Sequence, residues 1–243
     1  MSPELILHII LWPPLIGFLI NGIFGTRLPK ILVTLIACLA PLTSFIGTVL
    51  AYLNLLGKGK TINLYTWFVA EGSARIDFGF YIDHLSIIML FIVTGVGTLI
   101  HAYSSGYMAG DKGYSRFFAY LNLFLFSMLL LVLGSNLVVL FAGWEGVGLC
   151  SFLLIGFWFE NKEYNKAAAK AFIMNRIGDL GFLIAMFLII HKFGAISFND
   201  IHDTIMDEGI MNDPDVILIT LLLFLGVCGK SAQIPLFTWL PDA

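Results

Sequence analysis

Two ionisable side chains fall inside stretches that otherwise read as lipid-buried: Glu145 in NLVVLFAGWEGVGLCSFLLIGFW and Lys230 in DVILITLLLFLGVCGKSAQIPLFTWL. A charge near the bilayer centre costs roughly 3 kcal/mol on insertion scales and more in simulations, so such residues face a protein interior or a water-filled path. The chemistry open to a carboxylate and an amine in that setting is proton uptake and release. Burial can change the proton affinity of an amine by roughly 3–5 units, and a nearby carboxylate opposes that change. Moving one charge against about 150 mV takes roughly 3.5 kcal/mol. The two scales are comparable, so a carboxylate that shifts relative to a lysine can do work.

The neighbouring residues favour such a role. Gly143, Gly146 and Gly148 strip bulk from around Glu145 and let another helix approach closely. Gly226 and Gly229 precede Lys230, and Pro235 follows it. Pro235 has no N–H for the carbonyl of Ser231 and its ring clashes there, so the helix is weakened or broken beside the lysine. A broken membrane helix exposes backbone dipoles to transported ions. The bland alternatives are a fixed ion pair for Glu145 and a lysine snorkelling to an interface for Lys230.

Asp179 is a third membrane charge, in KAFIMNRIGDLGFLIAMFLII, with Arg176 one turn earlier on the same face. That spacing suits a local ion pair as well as a part in proton transfer. His101 is expected to end the third span and His84 to begin it beside Asp83; of the candidates for proton transfer, His101 carries the weakest signal. Lys170 lies near the start of the sixth span, where it either contacts an uptake path or snorkels, and His191 and His202 give no clearer signal. GVCGKS lacks the glycine a phosphate-binding loop needs where Phe224 stands, and GWEGVG lacks a βα turn, so no nucleotide site is expected. Cys38, Cys150 and Cys228 sit in apolar runs without metal or disulfide spacing.

The elements that must hold these residues follow from composition. The chain is 59% hydrophobic and 12% charged, with mean hydropathy +0.93, which implies an all-α, multi-spanning membrane bundle. No dense basic patch is present to hold nucleic acid. The N-terminus lacks a basic region and a cleavage site, so the first apolar run reads as a retained span. About seven helices are expected, near 4–25, 30–56, 81–103, 115–134, 136–159, 165–191 and 215–241, the last interrupted near Lys230–Pro235. Pro13 and Pro14 should kink the first, and neighbours or water must satisfy the carbonyls they free. The polar connection 57–80, with Lys58, Lys60, Glu71, Arg75 and Asp77, is either a short hairpin or a surface loop. The expected division is 1–74 for the first spans and polar loop, 75–134 for a first antiporter-like segment, and 135–243 for the start of a translocating core.

Arg27, Lys30, Lys112, Arg116, Lys162, Lys166 and Lys170 fall on one side, against Lys58, Lys60, Arg75 and Lys192 with the acidic segment 200–215 on the other. The first side is therefore expected to be cytoplasmic and the N-terminus outside. The ending at TWLPDA, with no polar tail, suggests a fragment of a longer protein.

Three stretches resemble a known family: FYIDHLSIIMLFIVTGVGTLIHAYSSGYM, then GYSRFFAYLNLFLFSMLLLVLGSNLVVLFAGWEGVGLCSFLLIGFW, then GKSAQIPLFTWLPDA. They are similar to the subunit L family of proton-pumping NADH–quinone oxidoreductase, respiratory complex I. The resemblance runs from about residue 75 to the end and extends weakly over the first two spans. GWEGVGLCS is its most specific part, because the sister subunits M and N and the Mrp antiporter subunits carry different residues around that glutamate.

The resemblance implies that Glu145 matches the family's fifth-helix glutamate, Lys230 the lysine beside the broken seventh helix, and Asp179 an acidic position in the sixth. It implies a membrane-arm subunit that translocates protons while electrons pass from NADH to quinone elsewhere. Flavin and iron–sulfur clusters are expected in other subunits and no cofactor in this chain; the partners are the other membrane-arm subunits and the lipid bilayer, in a bacterial inner membrane. Family members are longer, with about fourteen helices including two inverted repeats of about five, so this chain would hold part of the first repeat. An Mrp-type cation/proton antiporter subunit is the alternative, with a seven-helix retinal protein more remote and a purely structural membrane-arm piece a further reading.

Overall fold

The computed structural model describes residues 1–55, 59–69, 75–210 and 213–243; Lys58 and Glu71 of the polar connection lie outside the described residues. Helix α1 (Pro3–Phe24) starts with proline at its first position, where a missing N–H does no harm, and Ser2 caps it by accepting from the Leu5 amide at 3.3 Å. Pro13 and Pro14 sit inside α1, and Pro41 inside α2 (Lys30–Leu55). Pro14 cannot donate to the carbonyl of Ile10, and a neighbouring helix does so instead: Ser44 Oγ of α2 reaches that oxygen at 2.7 Å. Gly47 of α2 permits the approach, since a Cβ there would lie 2.8 Å from Ile10 Cγ1.

The polar connection resolves into strands β1 (Lys60–Val69) and β2 (Arg75–Ile82), paired in a two-stranded sheet. Asp83 then starts α3 (His84–Leu90) with a capping box: its carboxylate accepts from the Ser86 amide, and Ser86 Oγ accepts from the Asp83 amide, each at 2.8 Å. The helix widens into one π-helical stretch, Phe91–Val96, and continues as α4 (Gly97–Tyr107). The third span therefore covers 84–107 rather than the predicted 81–103, because Tyr81 and Ile82 belong to β2. That shift places His101 inside the helix instead of at its end.

Then come α5 (Tyr114–Leu133), α6 (Leu137–Ile155), the 32-residue α7 (Lys162–Phe193), α8 (Phe198–Glu208) and the 17-residue α9 (Pro214–Lys230). The acidic segment was not expected to be helical; α8 carries Asp200, Asp203 and Asp207 exposed on it. Nor does the last helix run to 241. It stops at Lys230, and only a 3₁₀ turn, Leu240–Asp242, follows. Among the described residues six helical stretches are long and apolar enough to cross a membrane, and α9 adds a shorter seventh. The fold is a multi-spanning helical membrane bundle.

Two compact units emerge. One comprises 1–63, 79–134 and 139–150; the other comprises 64–78, 135–138 and 151–243. In the first, α1, α2, the α3–α4 segment and α5 bury Ile6, Ile10, Leu90, Phe118 and Leu129. In the second, α7 and α9 make the dominant helix pair.

Candidate proton-transfer site

The second unit is organised by glycines. A Cβ on Gly178 of α7 would lie 3.1 Å from Gly229 Cα and 3.2 Å from the carbonyls of Gly226 and Leu225 in α9. A Cβ on Gly181 would lie 3.0 Å from the Leu222 carbonyl. The two backbones thus touch, the close approach that small residues permit between membrane helices. On α7 at this crossing, Asp179 is buried at 3% exposure, and Asn175, one turn before it, at 5%. Arg176 is exposed and lies over the Phe172 ring, 4.6 Å from its centroid.

Lys230 is the last residue of α9, immediately after Gly229 at the crossing. The carbonyls that the broken helix frees are taken up in turn. The Ser231 amide donates to Val227 at 2.9 Å and the Gln233 amide to Cys228 at 2.9 Å, while the Trp239 indole donates to Gly229 at 3.0 Å. Ala232 adopts φ 50°, the left-handed turn that carries the chain away. Pro235 lies beyond this turn, where no continuing helix needs its amide. Toward the same end of α7, Lys170 Nζ meets Asp242 Oδ2 at 2.6 Å with both side chains partly exposed.

Glu145 belongs to the first unit, half-buried on α6 between two contact glycines. A side chain at Gly143 would run into the backbone of Leu131 on α5, and one at Gly146 would lie 2.9 Å from Ser127 Cβ. The glycines flanking the glutamate hold α6 flush against α5, as their spacing suggested. His101, also in this unit, is 2% exposed. Its Nδ1 pairs with the Gly97 carbonyl at 2.8 Å, and the ring borders an apolar cavity of about 230 Å³ walled by Ile92, Val96, Leu121 and Leu125. Asn175, Trp239 and the Lys170–Asp242 pair were not singled out from the sequence. Asn175 carries a faint signal there, since it stands four residues before Asp179 on the same helical face.

A lysine thus ends an interrupted apolar helix beside a helix that buries a carboxylate, and the comparisons give this membrane bundle a family. Residues 134–243 match the family described as "NADH:quinone oxidoreductase/Mrp antiporter, TM", and residues 67–118 match "NADH-Ubiquinone oxidoreductase (complex I), chain 5 N-terminus". The chain belongs to this family of complex I and Mrp antiporter-type membrane subunits. It is 43% identical to NADH-quinone oxidoreductase subunit L of Campylobacter jejuni over 96% of this chain and 37% of that protein. It is 45% identical to subunit L of Mycobacterium tuberculosis over 91% of this chain and 35% of that protein, and 42% identical to subunit L of Escherichia coli over 95% and 38%. The chain thus spans well under half the length of these relatives. Among solved structures, the Mrp complex from Dietzia sp. is similar with TM-score 0.79 and 26% identity, over 98% of this chain and 25% of that one.

Proposed function

We propose that this chain is part of a membrane-arm subunit of a proton-pumping NADH–quinone oxidoreductase and carries the uptake half of one proton path. The observation that supports this most is Lys230 at the break of α9, against a helix that buries Asp179. Protons reach Lys230 from the side bearing Lys162, Lys166 and Lys170, and Glu145 is a further proton-transferring carboxylate of the same subunit. Asp179 and Arg176 tune the proton affinity of the lysine. Other membrane-arm subunits are the partners, and flavin, iron–sulfur chemistry and quinone reduction belong to other chains. The subunit lies in a bacterial inner membrane with its N-terminus outside.

The test is Glu145→Gln and Lys230→Met in the complete subunit, assayed in proteoliposomes. Normal assembly with several-fold fewer protons pumped per electron is expected, and unchanged pumping in both variants would reject the reading. The likeness to the Mrp complex favours a second reading, cation/proton antiport. Pumping that requires sodium, and continues without NADH oxidation under an imposed pH gradient, would decide for it.

A further inference from the structure

Asn175 is placed to serve the lysine through a water molecule. Its side chain is buried, and its Nδ2 donates to the Ala171 carbonyl of its own helix at 2.9 Å. Among the described residues nothing hydrogen-bonds Asn175 Oδ1, a buried acceptor. Such an oxygen costs about 1–3 kcal/mol if left desolvated and unbonded. Because the amide nitrogen is committed to Ala171, the open position is acceptor-only, so whatever fills it must donate.

The neighbourhood narrows the donor. A Cβ on Gly229 would lie 3.5 Å from the Asn175 backbone oxygen, so Asn175 is level with Gly229 and with Lys230 next to it. The backbones of α7 and α9 touch at this level. A buried water is stable where two to four polar groups surround it; Asn175 and Asp179 stand one turn apart on α7, and Lys230 follows Gly229 at the crossing.

We infer that Asn175 anchors an internal water beside Lys230, and that Lys230 exchanges its proton through this water. The inference rests on the proposed role of Lys230. One water hydrogen goes to Asn175 Oδ1, leaving a lone pair and a second hydrogen for the lysine. The lone pair accepts from the ammonium; the second hydrogen is donated to the neutral amine. The water therefore bonds the lysine in either state. In uptake, a proton arriving on the water makes a hydronium, which gives a proton to the amine lone pair, forming ammonium and restoring the water. Asn175 is a positioning residue in this scheme, since it acts through the water.

The experiment uses the complete subunit in its assembled complex, with Asn175→Leu to remove the oxygen at similar volume and Asn175→Ser to retain an acceptor. Two quantities are read: protons pumped per electron, and the O–H band in infrared difference spectra that shifts in H₂¹⁸O. Asn175→Leu is expected to lose that band and several-fold of the pumping, while Asn175→Ser keeps most of both. If Asn175→Leu fails to assemble, Asn175→Val carries the same expectation. An ¹⁸O-sensitive band and pumping unchanged in the apolar variant overturn the inference, as does a wild type without such a band. Lys230→Met separates the two proposals: normal pumping there rejects the role of the lysine, whereas loss of the band in Asn175→Leu still establishes the water.

Discussion

Both units use close glycine contacts, but they bury different polar groups where their helices meet. In the first, neutral side chains reach across to a neighbour's backbone or hydroxyl. Ser44 donates to the Ile10 carbonyl, Asn21 to Val33 at 3.4 Å, and Thr34 pairs with Tyr114 at 2.6 Å and Thr48 with Thr94 at 3.3 Å. Among the described residues, the buried polar side chains of this unit are all asparagine, serine, threonine or histidine. In the second unit, glycine brings α7 and α9 into backbone contact, and a carboxylate, Asp179, is buried at that crossing. Hydroxyl bonding fastens helices cheaply but offers nothing that titrates. A glycine crossing leaves the side-chain positions beside it free to carry charge.

The largest effect expected from this contrast is on the glycines. Gly178→Ala would press a methyl group against backbone atoms of Gly229 and Gly226 at 3.1–3.2 Å, and backbone cannot rotate aside. The helices must separate, at about 1–3 kcal/mol, the usual range for overpacking. Gly22 in the first unit is the control: its nearest neighbours, Ala119 Cβ and a Phe18 ring carbon, lie at 3.8 Å, ordinary contact. Gly22→Ala is expected to be neutral or slightly stabilising through better helix propensity. Thermal unfolding midpoints of the two variants decide it, and equal midpoints would show that the crossing does not organise the second unit.

Most helix boundaries were legible in the sequence because each depends on residues close together in the chain. Glu145 and Lys230 stand out against apolar surroundings, and α1, expected at 4–25, occupies Pro3–Phe24. What escaped depends on partners far away. Asn175 looks unremarkable until Gly229 arrives beside it, some fifty residues later in the chain. Trp239 was not singled out, yet its indole donates to the Gly229 carbonyl at the end of the helix that stops at Lys230. The sequence placed the interruption of the last helix near Lys230–Pro235, and the helix does end at Lys230, with the chain turning at Ala232 before the proline is reached. The proline rule did foresee that freed carbonyls need outside donors, but not that Ser44 would be one.

That donor gives the next effect in size. Ser44→Ala leaves the Ile10 carbonyl without its interhelical donor, and Pro14 cannot replace it. Hydrogen bonds between membrane helices average about 0.6 kcal/mol and reach about 1.7. A loss toward the upper figure is expected here, because the carbonyl has no intrahelical donor to return to. Thr43→Ala removes a hydroxyl that, among the described residues, bonds Leu39 of its own helix, and should leave the unfolding midpoint near wild type. If the two alanine variants melt alike, hydroxyl bonding is incidental to the first unit and the contrast with the second weakens.

The smallest effect concerns charges outside the membrane interior, where the second unit ties the end of α7 to the start of α9. Lys192 Nζ lies 2.7 Å from Asp213 Oδ1 and 3.0 Å from Asp215 Oδ2, and Asp213 also caps α9 by accepting from the Asp215 amide at 2.8 Å. The Lys192 hydrogen bond, then that amide, hold the Asp213 carboxyl below its ordinary value. A depressed carboxylate contributes stability that is fully present above the unfolded value, about 3.9, and is lost as pH falls through the lower folded value. Near neutral pH, Asp213→Asn and Lys192→Met should therefore both melt slightly below wild type. In acid below the folded value, the gap between wild type and Asp213→Asn should narrow, because the wild-type carboxyl is then neutral too. Added salt should shrink the neutral-pH gap for these partly exposed groups. A gap indifferent to both pH and salt would mean that Asp213 acts through the shape of its cap alone, and that the charges of the second unit matter only at the glycine crossing.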